Sequence, residues 1–202
     1  EARAPGELSL FDDVLTQLAG EMEEAVRVEL AQRMSGVDPA PAGLIRSLAR
    51  DPSIEVARPL LEGSTALTED DLLSVARTRG QDHLRAISQR PVVTMAVSEA
   101  IVERGDDQTL GALLANQGAE MSRETHEMVV DRAAENPALH AAVVARKSMP
   151  ADLLNEMYFV VEARLRDQIL ERNRDIDPDE LDKALAAGRK TLAARDGALP
   201  GD

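Results

Sequence analysis

The feature that most limits what this chain can fold into is a repeat. Four stretches of similar outline begin at Leu67 (LTEDDLLSVARTRG), Val93 (VTMAVSEAIVERGD), Met121 (MSRETHEMVVDRAAEN) and Met149 (MPADLLNEMYFVV), so their starts lie 26, 28 and 28 residues apart. Each opens on an apolar residue followed by Thr68, Thr94, Ser122 or Pro150, residue types suited to the N-cap or first position of a helix. An earlier copy begins at Pro41, where Ser47-Leu48-Ala49-Arg50 matches Ser74-Val75-Ala76-Arg77. That makes about five copies.

Shorter helices are expected between these stretches, over Pro52 to Glu62, Asp82 to Arg90, Asp107 to Asn116 and Pro137 to Lys147, with Gly63, Gly80, Gly105 and Gly118 at the turns. Asp51-Pro52 before SIEVARPLL has a counterpart in Asn136-Pro137 before ALHAAVVAR. The period is a helix pair. A pair this short cannot bury its apolar face alone, so neighbours must stack, and the expected architecture is an all-α, HEAT-like α-solenoid. Composition agrees: aromatics are limited to Phe11, Tyr158 and Phe159, and 44% of residues are hydrophobic, mostly aliphatic.

Three segments are expected: residues 1–8 as a disordered N-terminal end, 9–173 as the α-helical repeat domain with its capping helix, and 174–202 as a C-terminal helix with a frayed tail. Leu10 to Met34 reads as one long amphipathic capping helix, with Phe11, Val14, Leu15, Leu18, Met22, Ala25 and Val26 at helical spacing. Asp177-Pro178-Asp179-Glu180 has the order of a helix start, and the Leu181, Leu185 and Leu192 stripe that follows is a candidate homodimer contact. The chain begins at Glu1, so a fragment of a longer protein is expected.

The string LARDPSIEVARPLL resembles HEAT-like and leucine-rich-variant repeats, with Arg58 one place later than in their D-P-x-x-x-V-R pattern. Over Leu8 to Asn173, the order of LARDPSIEVARPLLEGS, LTEDDLL, HLRAISQRPVVTMAVSEAIVERGD and LLANQGAEMS resembles an uncharacterised, mostly alphaproteobacterial family, domain of unknown function 2336. The resemblance implies a cytoplasmic bacterial helical-repeat protein and carries no catalytic residues with it.

Net charge is −14, from 37 acidic and 23 basic residues, which repels phosphate backbones and anionic lipid. Nucleic acid and membrane are therefore not expected partners. There is no cysteine, hence no disulfide or thiolate chemistry. Neither a secretory leader nor a long apolar run is present, in keeping with the cytoplasm.

Glu99 and Glu103 lie off the apolar face of one helix and Glu127 and Asp131 off the face of the next, 28 residues on, so the four are expected to form an acidic ribbon facing a basic protein partner. Met95 and Val102 are read as exposed apolar anchors beside it, matched by Arg123 and Val130. The blander alternative is a solvated acidic face partly neutralised by Arg104, Arg123 and Arg132. His126 and His140 map to outward positions and His83 to a helix start; no pair has metal-ligand spacing, so no metal or cofactor is expected. Met121, Met128, Met149 and Met157 read as gap-filling core.

No phosphate-loop, nucleophile-elbow or dinucleotide motif occurs, which leaves enzyme chemistry unsupported. The expectation is a non-enzymatic interaction module, a scaffold or adaptor in a bacterial regulatory or signalling assembly. Two alternatives stand beside it. One is a sensor binding an anionic metabolite or nucleotide on its concave face, which requires Arg85, Arg90, Arg104 and Arg146 to converge. The other is a HEAT-like nucleic-acid enzyme, which the charge opposes.

Overall fold

The computed structural model describes residues 5–37, 39–172, 183 and 186–187. It is helical, with no strand among the described residues. The helices are α1 (Pro5–Glu21), α2 (Glu24–Met34), α3 (Ala42–Ala49), α4 (Ile54–Gly63), α5 (Glu69–Thr78), α6 (Gln81–Ser88), α7 (Met95–Arg104), α8 (Asp107–Ala115), α9 (Arg123–Glu135), α10 (His140–Ala145) and α11 (Ala151–Arg172). A 3-10 turn at Pro137–Leu139 leads into α10. The chain divides into two compact units, Glu1–Leu154 and Asn155–Asp202, with the boundary inside α11.

The expected single helix over Leu10 to Met34 is two helices. Met22 and Glu23 interrupt it, and Glu23 is extended at φ −61° and ψ 151°. Electrostatics favours the break, because Glu21, Glu23 and Glu24 would crowd like charges into a helix interior, whereas a restart puts Glu24 in a first turn, at the positive end of the dipole. Packing favours it too: α1 then lies on α3 while α2 lies on α4. Helix α1 also begins at Pro5, within the segment expected to be disordered. The Leu181, Leu185 and Leu192 stripe lies outside the described residues.

In the first unit, helices pack on the next helix and on the helix two places along. Thus α2 meets α4, α4 meets α6, α6 meets α8 and α8 meets α10, while α1 meets α3, α5 meets α7 and α7 meets α9. The faces so joined supply the core: Leu44, Ile45 and Leu48 of α3, Val56, Leu60 and Leu61 of α4, Leu84 and Ile87 of α6, Ile101 of α7, and Leu110, Leu113 and Leu114 of α8 are all essentially inaccessible. No aromatic residue takes part, since Phe11, Tyr158 and Phe159 are each at least half exposed.

Helix starts follow the local chemistry. Thr68 and Asp71 form a reciprocal capping box on α5, and Asp106 and Ser122 accept from the Thr109 and Thr125 amides at the starts of α8 and α9. Thr94 occupies the N-cap of α7 without a side-chain bond. The N-cap of α3 is Pro41, which has no capping side chain, so the second and third amides of the helix, Gly43 and Leu44, donate instead to Asp12 of α1 at 2.7 and 2.9 Å.

The sequence match between Asp51-Pro52 and Asn136-Pro137 is also a structural one. Each side-chain oxygen accepts from the amide two residues on, Ser53 at 2.9 Å and Ala138 at 3.0 Å, which turns the chain into the helix that follows. Gly118 has a different reason for being glycine. It and Glu120 exchange backbone bonds with Val93, at 3.2 and 2.8 Å, and a Cβ there would collide with the Pro91 carbonyl.

Candidate functional site

The structure places Glu99, Glu103, Glu127 and Asp131 at exposed positions on the adjacent helices α7 and α9. Their apolar neighbour Met95 is 53% exposed. Val102 is not at that surface. It is 1% exposed, and Val130 on α9 is 3% exposed, because both point back into the packed face beside Ile101 and Val129. The apolar component of the ribbon is therefore Met95 alone. Arg123 bonds Glu127 at 2.9 Å and also reaches Asp152 at 2.6 Å, so one cation is shared between two carboxylates. Asp152 is held below the usual carboxylate range by this bond to Arg123. Among the described residues Glu99, Glu103 and Asp131 form no ion pair.

The four arginines considered for an anion pocket do not converge. Helix C-termini leave carbonyls without intrahelical partners, and in this fold side chains from two helices downstream supply donors to them. Along the odd-numbered helices, Arg79 donates to Arg50 O, Arg104 to Ala76 O, and Arg132 to Val102 O and Gly105 O at 3.2 and 2.8 Å. Along the even-numbered helices, Arg90 donates to the carbonyls of Leu60, Leu61 and Ser64 at 3.4, 2.7 and 2.9 Å. Asn116 donates to Ser88 O and Arg90 O at 2.8 and 2.7 Å, and Arg146 to Leu114 O, Asn116 O and Ala119 O.

These are staples between successive units, and they occupy Arg90, Arg104 and Arg146. Burial pushes the guanidinium pKa of Arg90 and of Arg146 down from its ordinary value. Arg85, the fourth, lines a shallow groove with Arg58, Glu62, Asp82 and Gln89. It is tied to Asp82 at 2.5 Å and Asp106 at 3.5 Å, and Arg58 lies 3.6 Å from Glu62, so each positive charge there faces a negative one. The groove has no excess positive charge with which to recognise an anion.

His126 is buried, at 4% exposure, and not outward as its spacing suggested. Its Nδ1 donates to Ser122 O at 2.8 Å, while Nε2 is buried with no partner among the described residues. Burial first, and the charge of Arg146 second, lower its pKa against the opposing effect of the Ser122 carbonyl. His83, also buried, donates to Asp51 O at 2.9 Å, and His140 to Ala133 O at 2.8 Å. All three bind backbone carbonyls, and among the described residues no group of three or more His, Asp or Glu has a geometry that could hold a metal. No helix among those described is long and apolar enough to cross a membrane.

The staple series is what sequence reading misses. Its signal was present as Arg79, Arg104 and Arg132 at intervals of 25 and 28, and as Arg90, Asn116 and Arg146 at intervals of 26 and 30. Comparison with curated proteins and with solved structures gives no match. A family model described as "Uncharacterised protein conserved in bacteria (DUF2336)" matches residues 56–201. The matched span begins inside α4 and includes every staple donor, and the chain belongs to this bacterial family of uncharacterised proteins.

Proposed function

We propose that the first unit is a HEAT-like α-solenoid serving as a non-enzymatic interaction module, docking a basic protein partner within a cytoplasmic bacterial regulatory or signalling assembly. Support for the solenoid comes from contacts that advance by two helices and from staples that recur with the same period. Support for docking comes from one observation: Glu99, Glu103 and Asp131 stand exposed on two adjoining helices, without ion pairs among the described residues, beside exposed Met95. Like charges held on neighbouring elements repel, and a cationic surface relieves that repulsion and speeds encounter.

The test is charge reversal. Glu99→Lys with Glu127→Lys should slow association with the natural partner, with the loss shrinking as salt rises, while thermal stability stays near wild type. Unchanged association would dismiss the ribbon as a docking face. A homodimer through Leu181, Leu185 and Leu192 is the other partner reading, and sedimentation of a Leu185→Asp variant tests it.

A further inference from the structure

Two buried nitrogen side chains grip the same stretch of chain, the α8–α9 connection at residues 116–122. Arg146, the C-cap residue of α10, is 2% exposed and donates to Asn116 O and Ala119 O in this connection, as well as to Leu114 O at the end of α8. His126, in the first turn of α9, is 4% exposed and donates from Nδ1 to Ser122 O, where the connection ends. The near side of the connection is fastened separately. Asn116 donates to Ser88 O and Arg90 O, and Gly118 and Glu120 exchange backbone bonds with Val93. Arg146, helped by the Lys147 amide bonded to Gln117, is what ties the end of α10 to it.

Both side chains keep one buried nitrogen without a partner among the described residues, Nε of Arg146 and Nε2 of His126. With Nδ1 donating to Ser122 O, Nε2 is a lone pair, the atom that an incoming proton must take. Protonation would bury an N–H with no acceptor and set a second positive charge beside a guanidinium that cannot give up its own. No counter-charge is buried nearby: the buried carboxylates among the described residues, Asp51 and Asp71, belong to earlier parts of the stack. Helix α9 packs on α7, on the 3-10 turn and on α10. Glu99, Glu103 and Arg104 of α7 are exposed, the turn has no charged residue, and α10 supplies His140, which is bonded to Ala133 O farther along α9. Glu120 of the connection and Glu124 and Glu127 of α9 are exposed as well. Among these groups, the charge acting on the imidazole is that of Arg146.

We propose that His126 and Arg146 form an acid-sensitive latch: a proton taken up by the imidazole expels one of the two cations, the Arg146 staple lets go, and α10 comes away from α8 and the connection while the helix pairs before α8 stay packed. The latch is part of the internal mechanics of the stack, and it operates whether or not the acidic face of α7 and α9 docks a partner. Burial, and behind it the charge of Arg146, hold the closed imidazole below its ordinary pKa, so the open form binds the proton more readily. The latch is therefore fully closed above the ordinary histidine pKa of about 6.5, and the open population rises by up to about tenfold for each pH unit below it.

The experiment follows amide hydrogen exchange of the full chain by mass spectrometry at pH 7.5 and 5.5, with rates corrected for the intrinsic effect of pH on exchange. Protection over residues 139–149 should fall by about tenfold at the lower pH, while protection over α4 to α6 should not change. In His126→Gln, which takes up no proton, the fall should vanish. Arg146→Met should leave the same stretch weakly protected at both pH values, because the staple is already gone. Should His126→Gln fail to fold, the imidazole NMR resonances of wild type give a readout that needs no variant: proton uptake by His126 should proceed in step with the loss of protection.

Equal protection of residues 139–149 at the two pH values overturns the proposal. So does a fall that persists in His126→Gln, since the proton would then act elsewhere. A fall shared equally by α4 to α6 is unfolding of the whole stack and overturns it too, as does a His126 imidazole that takes up its proton near pH 6.5 with no loss of protection.

Discussion

Helices α6 and α1 are built from the same kind of sequence and meet opposite fates. Leu84 and Ile87 of α6 are inaccessible, covered by α4 on one side and α8 on the other. Val14 and Leu18 of α1 remain half exposed, on a helix that packs against α3 among the described residues. Amphipathic spacing marks where apolar residues fall on a helix; whether they are buried depends on a neighbour the helix does not encode. In this fold burial is a property of position in the series.

The largest test of that contrast is a pair of truncations. Leu84→Ala opens a cavity in a face packed from both sides and should cost about 3 kcal/mol in urea denaturation. Leu18→Ala, at a surface site, should cost less than about 0.5 kcal/mol. Comparable losses at the two positions would mean that α1 is covered in solution.

Next in size is the loss of a staple. Arg146→Met fills part of the same volume but leaves the Leu114, Asn116 and Ala119 carbonyls without their donor. At about 1–3 kcal/mol for each acceptor stranded away from water, and some relief by hydration, a net loss of about 2–3 kcal/mol is expected. Arg85→Met removes surface ion pairs to Asp82 and Asp106 and a surface hydrogen bond to Gln108, and should fall within about 1 kcal/mol of wild type. A smaller effect comes from the α5 capping box, where Thr68→Ala should cost about 1 kcal/mol.

The smallest is a pH dependence. His126 is buried and its pKa is lowered in the folded protein, so the unfolded chain binds a proton more readily. Stability from this residue is therefore complete above the ordinary histidine pKa, about 6.5, and declines as pH falls through that value toward the lower folded one. Melting temperatures of wild type and His126→Gln should converge as the buffer is acidified from pH 7.5 toward 5.5. A parallel pair of curves would show that the imidazole is not desolvated.

Much of the fold could be read from the residues, because helix pairs announce themselves through spacing and caps. Thr68, Ser122 and the Asp51/Asn136 pair sit where their side chains satisfy backbone amides, a local interaction visible in a few residues of sequence. The readings that failed needed information about neighbours. Val102 and His126 fall off the idealised apolar face of their own helices, yet other helices cover them. The break at Met22 depends on α1 and α2 finding separate partners, and the acidic cluster that favours it looks like ordinary surface charge. Arginine in a sequence suggests an anion-binding residue, although its five donors equally suit a set of helix-end carbonyls.

The staples also give the chain a direction. The arginine and asparagine staples reach backward, to carbonyls 26 to 32 residues earlier, as with Arg104 to Ala76 and Arg146 to Leu114, whereas the Gln81 side chain reaches forward, to Arg104 O. Shortening the protein from its far end would uncover neutral carbonyl oxygens, to which water readily donates. Shortening it from the near end would leave guanidinium groups half sunk in aliphatic surroundings with nothing to hold. Nested deletions from the two termini should therefore be tolerated unequally, and the intolerant side is the one that comes first off the ribosome.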